Sequence, residues 1–152
     1  MAQLLSSQRP TVTVGGRVFT DLTNLIALTA TMNAGAAARY STFRRGSAGY
    51  QVTAAKTLKL SAMKSLVMGT GSGIITLGYG DNDVGFTSSA APTTATYPWG
   101  STSYFGAPAV GNYLFHEFAL DSSTGFAATK YPFFQNDGVA LICMVLIYGY
   151  ES

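Results

Sequence analysis

The apolar residues of this chain come in short extended runs, most of them closed by glycine. Thr11 to Val14 alternates as far as Gly15-Gly16, and Arg17 to Thr20 resumes beyond that turn pair. Lys56 to Met68 stops at Gly69-Thr70-Gly71-Ser72-Gly73, which reads as a hairpin turn into a return strand, Ile74 to Tyr79. Tyr113 to Leu120 is a further strand, Asp121 to Gly125 a turn, and Phe126 to Gln135 an extended piece interrupted by Pro132. Asn136-Asp137-Gly138 is a hairpin signal before the last strand, Val139 to Tyr150. Some seven or eight short strands joined by such turns predict an all-β, jelly-roll-like β-sandwich. A helix bundle is excluded, because 17 glycines are present and only 11% of residues are charged, against about 25% in ordinary domains.

Within these runs the apolar pattern assigns faces. Leu58, Leu60 and Ala62 alternate with Thr57, Lys59 and Ser61, which predicts a strand with one wet face. Val139 to Tyr148 is apolar throughout, too short to cross a bilayer as a helix, and reads as a strand buried on both faces, with Cys143 acting as a small inert hydrophobe in its middle. Asp21 to Leu28 fits either a short helix capped by Thr20 or Asp21 or an irregular strand. Residues 29 to 49 are small and read as a loop or edge excursion around Tyr40 to Arg45. Gly80 to Ser103 is long, polar and without period, and a compact domain keeps such a segment for contacts or function. The expected organisation is an N-terminal arm, 1–20, and one sandwich domain with long loops, 21–152. The first ten residues lack the basic and apolar regions of a signal peptide, so synthesis in the cytoplasm without one is expected.

Charge divides along the chain. Residues 1 to 64 hold eight basic groups against Asp21 alone, and residues 65 to 152 hold Lys130 against six acids. That asymmetry suits docking on an acidic partner, with Arg9, Arg17, Arg39, Arg44 and Arg45 as the candidate contacts and Leu4 and Leu5 adding apolar ones. Folding that interleaves the halves would instead cancel them. Nucleic acid is a poor fit: the only basic doublet is Arg44-Arg45 and the isoelectric point is about 8.7, below the range above about 9 typical of its binders.

Little catalytic material is present, with one His, one Cys and one Trp. The Gly69 to Gly73 loop lacks the Gly-Lys-Ser/Thr of a phosphate loop. Asp81-Asn82-Asp83 opens like a calcium loop, but the later Gly and Glu are missing, so a turn is expected. His116-Glu117 lies within a strand, where neighbours point to opposite faces. No enzyme activity, cofactor, metal or membrane association is expected. Tyr97, Trp99, Tyr104 and Phe105 fit a subunit interface, or else a sugar-stacking platform.

Four segments point one way: Gly49-Tyr50-Gln51-Val52-Thr53-Ala54-Ala55-Lys56-Thr57-Leu58, Leu77-Gly78-Tyr79-Gly80-Asp81, Lys130-Tyr131-Pro132, and the closing strand after Asp137-Gly138. From Gly49 onwards, about two thirds of its length, the chain resembles the head decoration (cement) proteins of tailed bacteriophages. The resemblance implies a jelly-roll-like homotrimer on the outer surface of the capsid, reinforcing junctions of the major capsid protein. A carbohydrate- or receptor-binding module of a phage tail or fibre is the alternative expectation.

Overall fold

A computed structural model of the chain describes residues 12–14, 17–19, 26–32, 39–69, 73–86, 88–99, 103–105, 113–120, 124–138 and 141–152. Among them there is no helix. The strands are β1 (Val12–Val14), β2 (Arg17–Phe19), β3 (Ile26–Met32), β4 (Tyr40–Thr42), β5 (Arg44–Arg45), β6 (Ala48–Gly49) and β7 (Leu58–Gly69), followed by β8 (Gly73–Gly80), β9 (Ser103–Phe105), β10 (Tyr113–Ala119), β11 (Gly125–Phe126), β12 (Tyr131–Gly138) and β13 (Leu141–Glu151). One antiparallel sheet runs β10-β7-β13-β3-β5-β6 with β11 added to β7, and a second runs β4-β12-β8-β9. The two curled sheets form a β-sandwich. Among the described strands β1 and β2 pair only with each other, Val14 opposite Arg17, as the Gly15-Gly16 pair predicts.

The chain changes sheet at the β3–β4, β4–β5, β7–β8, β9–β10, β11–β12 and β12–β13 connections, the kind of crossing a jelly roll uses. Two predicted hairpins are thereby corrected. Neither the Gly69 to Gly73 stretch nor Asn136-Asp137-Gly138 joins paired neighbours, because β7 is already flanked by β10 and β13, and β12 by β4 and β8. With both edges taken, each glycine-rich link carries the chain to the opposite sheet instead. Of the loop or edge excursion expected over 29–49, the first residues are corrected, since the regular strand β3 extends through Met32, while β4, β5 and β6 do lie at the edges of the two sheets. Of the uncertain Asp21 to Leu28 segment, Ile26 onward is strand, and residues 21–25 lie outside the described residues.

The core lies between the sheets. Ile26, Leu28, Ala30 and Met32 of β3 stand opposite Gly149, Ile147, Val145 and Cys143 of β13, and this row packs toward Ile75, Leu77 and Phe134 of the smaller sheet. Each fully buried aliphatic side chain contributes about 1.5–3 kcal/mol. Ser41, itself buried, ties the sheets together where β3 passes into β4, its hydroxyl donating to the Thr31 carbonyl at 2.6 Å.

The alternation read for β7 holds only to Leu60. Tyr148 pairs with Ala62 but Gly149 with Leu60, so Ser61 is an extra residue, a β-bulge that reverses the facing of the residues beyond it. Met63 and Ser65 therefore join Leu58 and Leu60 inside, while Ala62, also buried, faces the other way beside Tyr148. Gly149 is required at this point, since a Cβ there would land on the Lys59 carbonyl. The freed Ser61 carbonyl accepts from the Leu120 N–H at 2.8 Å.

The two-sided burial expected of the last strand belongs to β12. In β13 the buried Cys143, Val145 and Ile147 alternate with half-exposed Met144 and partly buried Leu146 and Tyr148. In β12, Pro132, Phe133 and Phe134 are buried in succession. Phe134 faces the core, and Phe133 is covered on the outside by Tyr40 and Tyr97, with ring centroids 6.0 and 5.7 Å away. The covering loop is held to β8 where Thr96 exchanges both backbone hydrogen bonds with Tyr79 at 2.9 Å.

The bulge makes a testable distinction. Met63→Ala is expected to cost about 2–5 kcal/mol of folding free energy, more than Ala62→Ser on the other face of the strand. Urea unfolding of the two variants measures the difference, and unbroken alternation from Leu58 would give the opposite ranking.

Candidate functional site

The three arginines between residues 39 and 45 meet the long loop at one corner of the sandwich. Arg39 precedes β4, and its N–H donates to the Ser88 carbonyl at 2.8 Å while its carbonyl accepts from Asn136 at 2.8 Å. The loop runs alongside β4, with Thr42 N–H to the Gly85 carbonyl at 2.9 Å and Ser88 N–H to the Tyr40 carbonyl at 2.8 Å. β5 then turns into β6 through Gly46, whose φ of 83° suits glycine.

Arg44 is turned inward, with 16% of its side chain exposed. One guanidinium nitrogen donates to the Ser47 carbonyl, another lies 3.9 Å from Asp83, and the group sits 4.0 Å over the ring of Phe86. Arg39 and Arg45 are exposed. Among the described residues the basic and acidic halves meet where Arg44 lies near Asp83, where Lys56 acts electrostatically on Glu151, and where Lys64 stands opposite Glu117 in the β7–β10 register. Of the other expected docking residues, Arg17 lies in β2, its side chain outside the described residues, as are Leu4, Leu5 and Arg9.

Of the aromatic set, Tyr97 and Trp99 pack against this chain's own core. Tyr97 stands edge-on to Phe133 and donates its hydroxyl to Gln135 Oε1 at 2.7 Å. Burial, helped by neighbouring Tyr40, raises the Tyr97 phenol above its usual range. Trp99 is edge-on to Phe126 at 5.2 Å. Tyr104 and Phe105 lie in β9, paired with Ile74 and Gly73, and their side chains are outside the described residues.

Asp81-Asn82-Asp83 is a turn, and its oxygens are used locally. Asp81 pairs with Lys130, which with Thr94 holds its carboxyl below the ordinary range. Asn82 Oδ1 accepts from the Thr93 N–H and Asp83 Oδ1 from the Gly85 N–H, both at 2.7 Å. Among the described residues no group of three or more His, Cys, Asp and Glu is placed to hold a metal. His116 and Glu117 pair by backbone with Ser65 and Lys64.

Two features escaped the sequence reading. Glu151 Oε1 accepts from the Tyr50 hydroxyl at 2.5 Å and the Thr53 N–H at 2.9 Å, clasping the segment before β7 to the end of β13. Phe86 is 47% exposed. Its signal in the sequence is a lone phenylalanine, between Gly85 and Thr87, in the long loop. No protein-family model, curated protein or solved structure matches the chain.

These environments set two expectations. Partial burial pushes the Glu151 carboxyl up, but the hydrogen bonds from Thr53 and Tyr50 and the nearby Lys56 outweigh it, and the net shift is downward. A carboxyl lowered on folding adds stability above its unfolded pKa of about 4.3 and loses it as pH falls through the folded value. Glu151→Gln should therefore flatten the acid side of the stability curve relative to wild type, measured by urea unfolding from neutral to acid pH. Burial also pushes the Cys143 thiol up to about 12. It should resist thiol reagents in the native state, and Cys143→Ser should destabilise more than Cys143→Ala because it buries a hydroxyl. Labelling at the rate of a free thiol would contradict its placement in the core.

Proposed function

We propose that this chain is a non-enzymatic structural virion protein, a decoration protein that binds the major capsid protein on the outer surface of a tailed-phage head as a homotrimer. The observation that carries the reading is where the four segments of the resemblance fall. They converge on one part of the sandwich. Val52 exchanges backbone hydrogen bonds with Lys130 and Thr129 at 2.9 Å, Lys130 pairs with Asp81, Tyr131 lies opposite Gly80 in the β8–β12 register, and Glu151 of the closing strand holds Tyr50 and Thr53. The all-β sandwich is also the architecture the resemblance implies.

Self-association is supported by the outer face of the large sheet. Lys64, Leu66, Met144 and Leu146 are among the residues lining a shallow apolar hollow of about 190 Å³, with Met144 50% exposed. Association would remove that surface from water. The alternative, a carbohydrate- or receptor-binding module of a tail or fibre, requires open ring faces at Tyr97 and Trp99. Both rings are partly buried against Phe133 and Phe126. Among the described residues no helix is long and apolar enough to cross a membrane.

The expected outcome is a trimer by light scattering, and co-sedimentation of the protein with purified heads rather than with tails. Attachment should weaken with salt, because exposed charges are screened over about 8–10 Å near physiological ionic strength. A monomer at micromolar concentration, or recovery with tails alone, would overturn the reading.

A further inference from the structure

We propose that the corner carrying Arg39, Arg45 and Phe86 is a docking site for an acidic protein surface, with the Phe86 ring as its apolar anchor. Phe86 and Met144 are the exposed large hydrophobic residues among those described. Unlike Met144, Phe86 sits between Gly85 and Ser88, both hydrogen-bonded to the β4 segment. Gly85 adopts φ 76°, a conformation that side chains disfavour, and its carbonyl is held by Thr42. Two residues beyond Phe86, Ser88 is bonded to both Arg39 and Tyr40. The guanidinium of Arg44 supports one side of the ring at 4.0 Å, and is itself anchored by Ser47 and Asp83. An apolar ring fixed in advance and left half in water loses little freedom on binding, which is what an interface anchor needs.

The charge around the ring selects the partner. Segments 39–49 and 83–90 contain three arginines and one carboxylate, Asp83, which faces Arg44. Arg39 and Arg45 are exposed, and a guanidinium fork fits a carboxylate with two parallel hydrogen bonds. An apolar centre with an arginine rim is the composition of a protein interface. A nucleic acid is the poorer occupant. One face of Phe86 is already taken by Arg44, which hinders base stacking. Arg44, read from sequence as a contact, becomes the support that holds the contact in place.

The surface rests on the decoration reading for the identity of its partner alone, so the test has two arms. In the first, the isotope-labelled full chain is titrated by NMR with a peptide of repeated Glu-Leu-Asp units. The same peptide with Lys at each acidic position and a short single-stranded DNA are run in parallel. The acidic peptide should shift the amides of Arg39, Arg45, Phe86 and Ser88, and Phe86→Ala and the pair Arg39→Gln with Arg45→Gln should each weaken it about tenfold. A dispersed spectrum from each variant verifies its fold, and Phe86→Leu should retain most of the affinity. Shifts centred elsewhere, unchanged affinity in Phe86→Ala, or equal binding of DNA or the basic peptide at this corner would overturn the proposal. In the second arm wild type and Phe86→Ala are added to purified heads. Full occupancy by both overturns the corner as the docking site and leaves decoration standing. Peptide binding at the corner without binding of the wild type to heads overturns decoration and leaves the corner standing.

Discussion

Strand β13 is hydrogen-bonded along its length to β7 on one side and to β3 on the other, from Leu141 opposite Gly69 to Glu151 opposite Leu58. The arrangement of the large sheet depends on that double pairing. It aligns Cys143, Val145 and Ile147 with Met32, Ala30 and Leu28, so that a continuous apolar sheet face meets Phe134, Ile75 and Leu77 across the sandwich. It also occupies an edge of β7, which obliges the chain beyond Gly69 to cross to the other sheet. The bulge at Ser61 is part of the same fit, letting eleven residues of β13 track a β7 partner that is one residue longer over the paired span.

What could be read in the sequence was what local chemistry decides. The strand positions of β7, β8, β10 and β13, the β1–β2 turn, the turn at Asp81-Asn82-Asp83 and the burial of Cys143 come from alternation, turn residues and an apolar run. What could not be read depends on partners remote in sequence. A Gly-rich link looks the same whether it closes a hairpin or crosses a sandwich; the outcome turns on whether the strand's edge is free. Phase in β7 is lost at Ser61 because the bulge is set by β13. An apolar run such as Val139 to Tyr148 signals two-sided burial only if something covers the second face. Here the covering loop went to β12, where Pro132 and polar Gln135 and Asn136 disguise the burial of Phe133 and Phe134.

The candidate site shows the same division. Clustering of basic residues marked Arg39, Arg44 and Arg45, but not that Arg44 turns inward to Asp83 and Phe86 while its neighbours stay in water. Clustering of aromatics drew attention to Tyr97 and Trp99, which cover the chain's own Phe133 and Phe126. Phe86 belongs to no pattern in the sequence, and only tertiary support from a distant arginine gives it significance.

The order β7-β13-β3 also has a kinetic side. β3 and β7 share no ladder with each other; each meets β13, and Met32 and Cys143, which pair, are more than a hundred positions apart. Closing loops of that length before any contact compensates is slow, so this sheet belongs with the slow-folding β topologies. Until β13 inserts, Leu28, Ala30 and Met32 have neither their pairing partner nor the finished core over them, and that row is an aggregation-prone surface of the folding chain.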